Sequence, residues 1–85
     1  MLNLQTTIKL HAKYCQFPNS KIARTQKLLE ELLELQVALH RNIDNEIIPE
    51  LADVYITISL YCQRYGYDID GLTRAKIQAD KKRYE

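Results

Sequence analysis

Four acidic residues in two helically spaced pairs are the groups in this chain whose types and spacing could do chemistry. Glu31 and Glu34 stand in the run Glu30-Glu31-Leu32-Leu33-Glu34, and Glu50 and Asp53 stand in Glu50-Leu51-Ala52-Asp53. A spacing of i, i+3 puts the two carboxylates of each pair on one face of a helix, about 60° apart around its axis. Both pairs sit inside strongly apolar segments, where unpaired negative charge is very costly. Hard divalent cations bound through carboxylate oxygens remove that cost, and Mg2+ is the usual choice where phosphates are handled. Oxygen-only ligation points to Mg2+, with Mn2+ as the alternative, over iron or zinc. No glutamate is followed by a histidine three residues later, so the ferritin-like di-iron pattern is absent from the sequence. His11 and His40 are isolated from each other and from the acids.

A single E-x-x-E motif has little specificity, because glutamate is a good helix former and solvated helices are rich in it. Two features lift these pairs above that background. The E-x-x-D pair opens a segment too apolar for a surface helix. The two pairs also lie on consecutive helices joined by a short loop, so an antiparallel hairpin can bring four carboxylates around one cavity.

The elements that must position them are all helical. A first helix is expected from Leu4 to Gln16, with Leu4, Ile8, Ala12 and Cys15 at helical spacing. Phe17-Pro18-Asn19-Ser20 breaks it, and Asn19 or Ser20 caps a second helix from Lys21 to Arg41. Leu28, Leu32, Leu35 and Leu39 form one apolar stripe of that helix, and Leu29, Leu33 and Val37 form another. Glu31, Glu34 and Ala38 fall in the strip between them. A helix apolar on two sides must bury both. One stripe is expected to face its own bundle and the other a second subunit. A third helix is expected to start between Asn45 and Pro49, since proline is tolerated in a first turn, and to end at Tyr65 with Gly66 as its cap. Leu51, Tyr55, Ile58 and Cys62 read as its core stripe, with Glu50, Asp53, Thr57 and Tyr61 opposite. A last, basic helix runs from a cap at Asp68 or Asp70 to Arg83. The expected fold class is all-α, a four-helix or helical-hairpin bundle with short connections.

The 85 residues, 1–85, read as one domain. A helical domain of this size buries only roughly 60–65% of its unfolded surface, so completion by oligomerisation is expected. Twelve basic residues against 11 acidic give a net charge of +1, which argues against a dedicated nucleic-acid binder. No apolar run reaches the ~18 residues of a membrane span. Cys15 and Cys62 are too few and too distant for a disulfide framework. With no secretory pattern at the N-terminus, the expectation is a reduced, cytoplasmic setting without membrane contact.

The set Glu30-Glu31-x-x-Glu34 and Glu50-x-x-Asp53 resembles the E-E-x-x-E … E-x-x-D signature of MazG-like all-α nucleoside triphosphate pyrophosphohydrolases. The stretch from Lys76 to Tyr84 is similar to that family's K-x-x-x-N-x-x-R-Y tail, with Asp80 where the family has asparagine. The resemblance spans about residues 17 to 84. It implies a four-helix MazG-like bundle, assembled as a homodimer or homotetramer. It implies Mg2+-dependent hydrolysis of a (deoxy)nucleoside triphosphate between its α- and β-phosphates, giving the monophosphate and pyrophosphate. It also implies that Glu31, Glu34, Glu50 and Asp53 are catalytic metal ligands, one of them a candidate general base, and that Lys76, Asp80 and Arg83 meet the nucleotide. An ionised aspartate accepts hydrogen bonds but donates none, so the asparagine's role does not carry over to Asp80. Lys27, one turn before Glu31, reads as a helix-surface ion-pair partner, and Thr57 as a hydroxyl bonded to backbone. Two alternatives stand beside this reading: phosphoribosyl-ATP pyrophosphatase of the same superfamily, and a non-catalytic helical interaction module. The tail favours the first reading, and the intact acids argue against the module.

Overall fold

The computed structural model describes residues 2–84. They form four helices: α1 (Leu4–Tyr14), α2 (Lys21–Arg41), α3 (Asp44–Tyr65) and α4 (Ile69–Arg83). The architecture is all-α. The described part of the chain is a long α2–α3 hairpin with α1 laid against α3. Contacts pair Arg41 with Glu46, Glu31 with Glu50 and Asp53, and Arg24 with Leu60, so α2 and α3 run antiparallel.

The helix ends follow from local chemistry. Asn3 and Ser20 cap α1 and α2, accepting from the amides of Thr6 and Ala23 at 2.8 and 3.1 Å. Asn42 closes α2 and Gly66 closes α3 in the left-handed region, at φ 57° and 76°. Two boundaries differ from expectation. The first helix stops at Tyr14 because Gln16 turns left-handed and the Phe17 amide donates back to the Ala12 carbonyl. The third helix starts at Asp44, ahead of the expected window, which places Pro49 beyond the first turn. Proline there removes the amide that would meet the Asn45 carbonyl. Asn45 and Pro49 are both exposed, so water can take that carbonyl.

Ile8 and Ala12 of α1 close with Leu60 of α3 into the apolar core, and Phe17 and Ile56 pack around them. Leu60 is fully buried. Arg24 ties this end together, donating from Nη1 to the Leu60 carbonyl at 2.7 Å and from Nε to the Pro18 carbonyl at 2.9 Å.

The packing faces differ from those expected. Neither leucine stripe of α2 is its buried face. The strip between them is, through Arg24, Glu31 and Ala38. Leu28 and Leu35 are half-buried, while Leu29, Leu32, Leu33, Val37 and Leu39 are exposed. On α3, Val54, Thr57, Ser59, Leu60 and Cys62 are buried, and Leu51 and Tyr55 of the expected core stripe are exposed. The cause is size. Ala38 and Thr57 let the two backbones approach along the acid-bearing faces, and the bulky leucines are left at the flanks. Helix α4 buries none of its residues.

Two outcomes test this packing. Leu60→Ala should cost about 2–5 kcal/mol, read by denaturant unfolding, because Leu60 plugs the small core. The apolar flanks of α2 should drive self-association, so light scattering should return a multiple of the 10.0 kDa chain mass and Leu33→Glu should lower it. A wild-type monomer at micromolar concentration would count against the assembly.

Candidate metal centre

The acids meet where the middle of α2 crosses the first half of α3. Helical spacing turns Glu31 into the seam, and its side chain is only 8% exposed. From α3, Glu50 and Asp53 reach the same place. One carboxylate oxygen from each of Glu31, Glu50 and Asp53 lies within 4.8 Å of the others. Lys27, one turn earlier on α2, places Nζ 3.1 Å from Glu31 Oε1 and 3.9 Å from Glu30. The hydrogen bond to Glu31 is the main reason that Lys27 holds its proton more tightly than an ordinary lysine.

Lys27 does not satisfy the whole cluster. Glu31 Oε2 and Glu50 Oε2 are buried and have no hydrogen-bond partner. Buried carboxylate oxygens without donors are costly unless protonated or bound to a cation. Three mutually close carboxylates, two of which carry an orphaned oxygen, therefore fit a hard divalent cation, with Glu31, Glu50 and Asp53 able to hold it. Glu34 lies beside this group without joining its three oxygens. Its pKa is raised, first by the charge of Glu31, with the charge of Glu50 adding to it. Glu34 and Glu50 also border a cavity of about 500 Å3.

Thr57 donates its hydroxyl to the Asp53 carbonyl at 2.7 Å, so it serves the α3 backbone and steadies the turn bearing Asp53. Tyr61 packs on Tyr65 with ring centroids 4.5 Å apart. The tail residues Lys76, Asp80 and Arg83 take no part in the acid group or in the cavity beside it. They engage one another: Lys76 Nζ is 2.6 Å from Asp80 Oδ1, and Arg83 Nη2 is 3.8 Å from the same oxygen. The departure at Asp80 thus has a structural consequence, since its carboxylate draws together the two cations flanking it on α4. The chain also gathers Lys9, Lys13, Arg24 and Arg64 around one cavity at the other end of the hairpin. They come from three separate elements with no motif spacing, so nothing in the sequence singled them out.

An all-α hairpin that sets opposed carboxylates across its seam defines a helical carboxylate-site protein. Residues 5–79 match the family described as phosphoribosyl-ATP pyrophosphohydrolase, and the chain belongs to that family. The family lies within the MazG-like superfamily, so the resemblance read from the motifs holds at superfamily level. Membership supports a hydrolase acting on a phosphoanhydride. Neither a curated protein nor a solved structure matches the chain. No helix among the described residues is long and apolar enough to cross a membrane.

Metal-free stability should report the crowding. A carboxyl whose pKa is raised in the folded state keeps its proton longer there than in the unfolded chain, so stability falls as pH rises through that window. Because the Glu34 pKa is raised, the melting temperature in EDTA should fall as pH rises from the usual glutamate range toward neutral. Mg2+ added at neutral pH should raise it again. Glu50→Gln should raise the metal-free melting temperature and remove the response to Mg2+. A flat or rising profile in EDTA would show that the acids do not repel one another.

Proposed function

We propose that this chain hydrolyses the triphosphate of a nucleotide between its α- and β-phosphates, releasing pyrophosphate, with Mg2+ or Mn2+ held by Glu31, Glu50 and Asp53. The observation that supports this reading most is the pair of orphaned buried oxygens, Glu31 Oε2 and Glu50 Oε2, in a chain of a pyrophosphohydrolase family. A triphosphate carries about four negative charges and would be repelled by this wall without a cation. Bound there, a divalent cation supplies positive charge for phosphate oxygens and a more acidic water.

The chain's own groups then divide the work. Glu31 is set deep in the seam by helix packing and braced by Lys27, so one of its oxygens is fixed. Asp53 is carried on the turn that Thr57 steadies. Glu34, outside the three-oxygen group yet beside it, is the carboxylate free to orient a water and accept its proton. Lys76 and Arg83 neutralise phosphate charge when α4 lies over the site, and Arg83 can do so in a bidentate way. Among the described residues none from α4 joins the acid group or lines its cavity, so the reading includes a homodimer or homotetramer in which the site is completed.

Two substrates are at issue. The family's description favours phosphoribosyl-ATP. The tail favours a simple nucleoside triphosphate, and its Asp80, Arg83 and Tyr84 lie beyond the matched residues 5–79. Incubation with Mg2+ and a panel containing both kinds of substrate decides between them, with pyrophosphate measured against orthophosphate. Orthophosphate alone, or no turnover, would overturn the proposal.

The residues are tested in the same assay. Asp53→Asn and Glu34→Gln should abolish turnover with helical circular dichroism intact. Arg83→Ala should lower kcat/KM by about ten- to a thousand-fold, or about 1.4–4 kcal/mol of transition-state binding. Lys82→Ala, about 100° around α4, should change little. Equal losses in the Arg83 and Lys82 variants would reduce α4 to a solvated basic face.

A further inference from the structure

The acid seam is not where the larger cavity lies. A cavity of about 750 Å3 opens between α1, the α1–α2 loop and the C-terminal end of α3. Its lining includes Lys9, Lys13, Arg24 and Arg64, and no aspartate or glutamate. Among the described residues none of these four cations forms an ion pair. Lys9 and Lys13 are four apart on α1, a spacing that puts both charges on one face, where they repel. Arg24 is 8% exposed, and its bonds go to two neutral carbonyls through Nε and Nη1, which leaves Nη2 without a hydrogen bond in the protein. Burial and the neighbouring Arg64 charge both work against its protonated form. Four cations without a carboxylate partner therefore gather around one concavity, one of them buried, and an anion bound there would meet their charge.

Aromatic surface accompanies the charge. Phe17 and Tyr67 also line the cavity. Gly66, at φ 76°, turns the chain so that Tyr67 stacks on Tyr65 with centroids 5.7 Å apart and planes 16° apart. Tyr65 in turn packs on Tyr61, so Tyr67 ends a run of three rings and is half exposed. Such a terminal ring can take one more flat partner. A volume of about 750 Å3 is that of a small-molecule pocket. The charges gather around one concavity and do not run along a stripe, which favours a small ligand over a nucleic acid strand.

We infer that this cavity is a second ligand site, separate from the acid seam, that binds a mononucleotide by its phosphate on Lys9, Lys13, Arg24 and Arg64 and by its base against Tyr67. Arg24 and Glu31 are seven residues apart on α2, about 10 Å, so a ligand bound here need not touch the acids. The site does not depend on catalysis at the seam.

Calorimetric titration of the full chain with AMP in EDTA tests this, since without a divalent cation the acids repel the phosphate. Saturable binding that weakens with salt is expected. Lys13→Ala should weaken it about tenfold or more, and because Lys13 makes no side-chain bond its loss leaves the fold unchanged. Arg64→Ala should do the same, with circular dichroism checking the loop that Arg64 holds through the Asn19 carbonyl. Glu50→Gln should not weaken AMP binding. Inorganic phosphate, close to the AMP phosphate in charge, should bind about tenfold more weakly than AMP, and Tyr67→Ala should bring AMP down toward that level. No binding at millimolar AMP, or Lys13→Ala binding like the wild type, would overturn the site. Inorganic phosphate binding as tightly as AMP would overturn the base contact. A single-stranded RNA binding far more tightly than AMP would replace the pocket with an extended strand path.

Discussion

The burial of the Glu31 carboxylate is the constraint on which the rest of this structure depends. A charged side chain 8% exposed in a helix seam must be compensated, and one lysine 3.1 Å away meets only one of its oxygens. Two apolar helices could have closed on their leucines instead, with the acids outside in water. That they close on the acid-bearing faces goes with small residues there, Ala38 and Thr57. The packing of small residues and the exposure of the large ones are therefore one fact seen from two sides. A buried carboxylate oxygen without a donor is costly, and a bound cation would offset that cost.

The same choice leaves the chain short of a core. Leu60 is enclosed, but Leu29, Leu33 and Val37 stand in the open, and α4 contributes nothing buried. A domain of this length has little apolar burial to spare. The exposed leucines and the unanchored basic helix pose one problem, because a neighbouring chain that covered the first could also position the second. Asp80 bears on this. Its carboxylate holds Lys76 and Arg83 together in the single chain, so the two cations are kept as a unit on one helix face.

Much of this was legible in the sequence, and the failures have a common cause. The second helix was read at its observed bounds because Ser20 and the Asn42 turn are local signals, carried by adjacent residues. Glu31, Glu34, Glu50 and Asp53 were read as one set, and helical spacing with a short loop does bring oxygens of Glu31, Glu50 and Asp53 within 4.8 Å of one another, while Glu34 stays beside them. Which face of α2 was buried was misread, because hydrophobicity ranks leucine above alanine and threonine, whereas close helix approach ranks them the other way. The start of α3 was misread through the proline rule, since Pro49 is tolerated at an exposed position beyond the first turn. The basic cavity was invisible because it is assembled from α1, α2 and α3 at once, and no period in the chain records it.

Charge sorting along the hairpin connects these points. The chain is nearly neutral at +1, yet its seam is acidic in the middle and its far end is ringed by cations. Opposite charges that could have paired are instead held apart by rigid helices. Arg24 turns to the carbonyls of Pro18 and Leu60, and Glu31 keeps an oxygen bare. In a protein selected for stability alone, such groups would find each other or be replaced by apolar residues of similar volume. Kept apart, each leaves an electrostatic demand that a small ion or ligand can meet. The acid end calls for a hard cation and the basic end for an anion. A chain that handles phosphates has use for both.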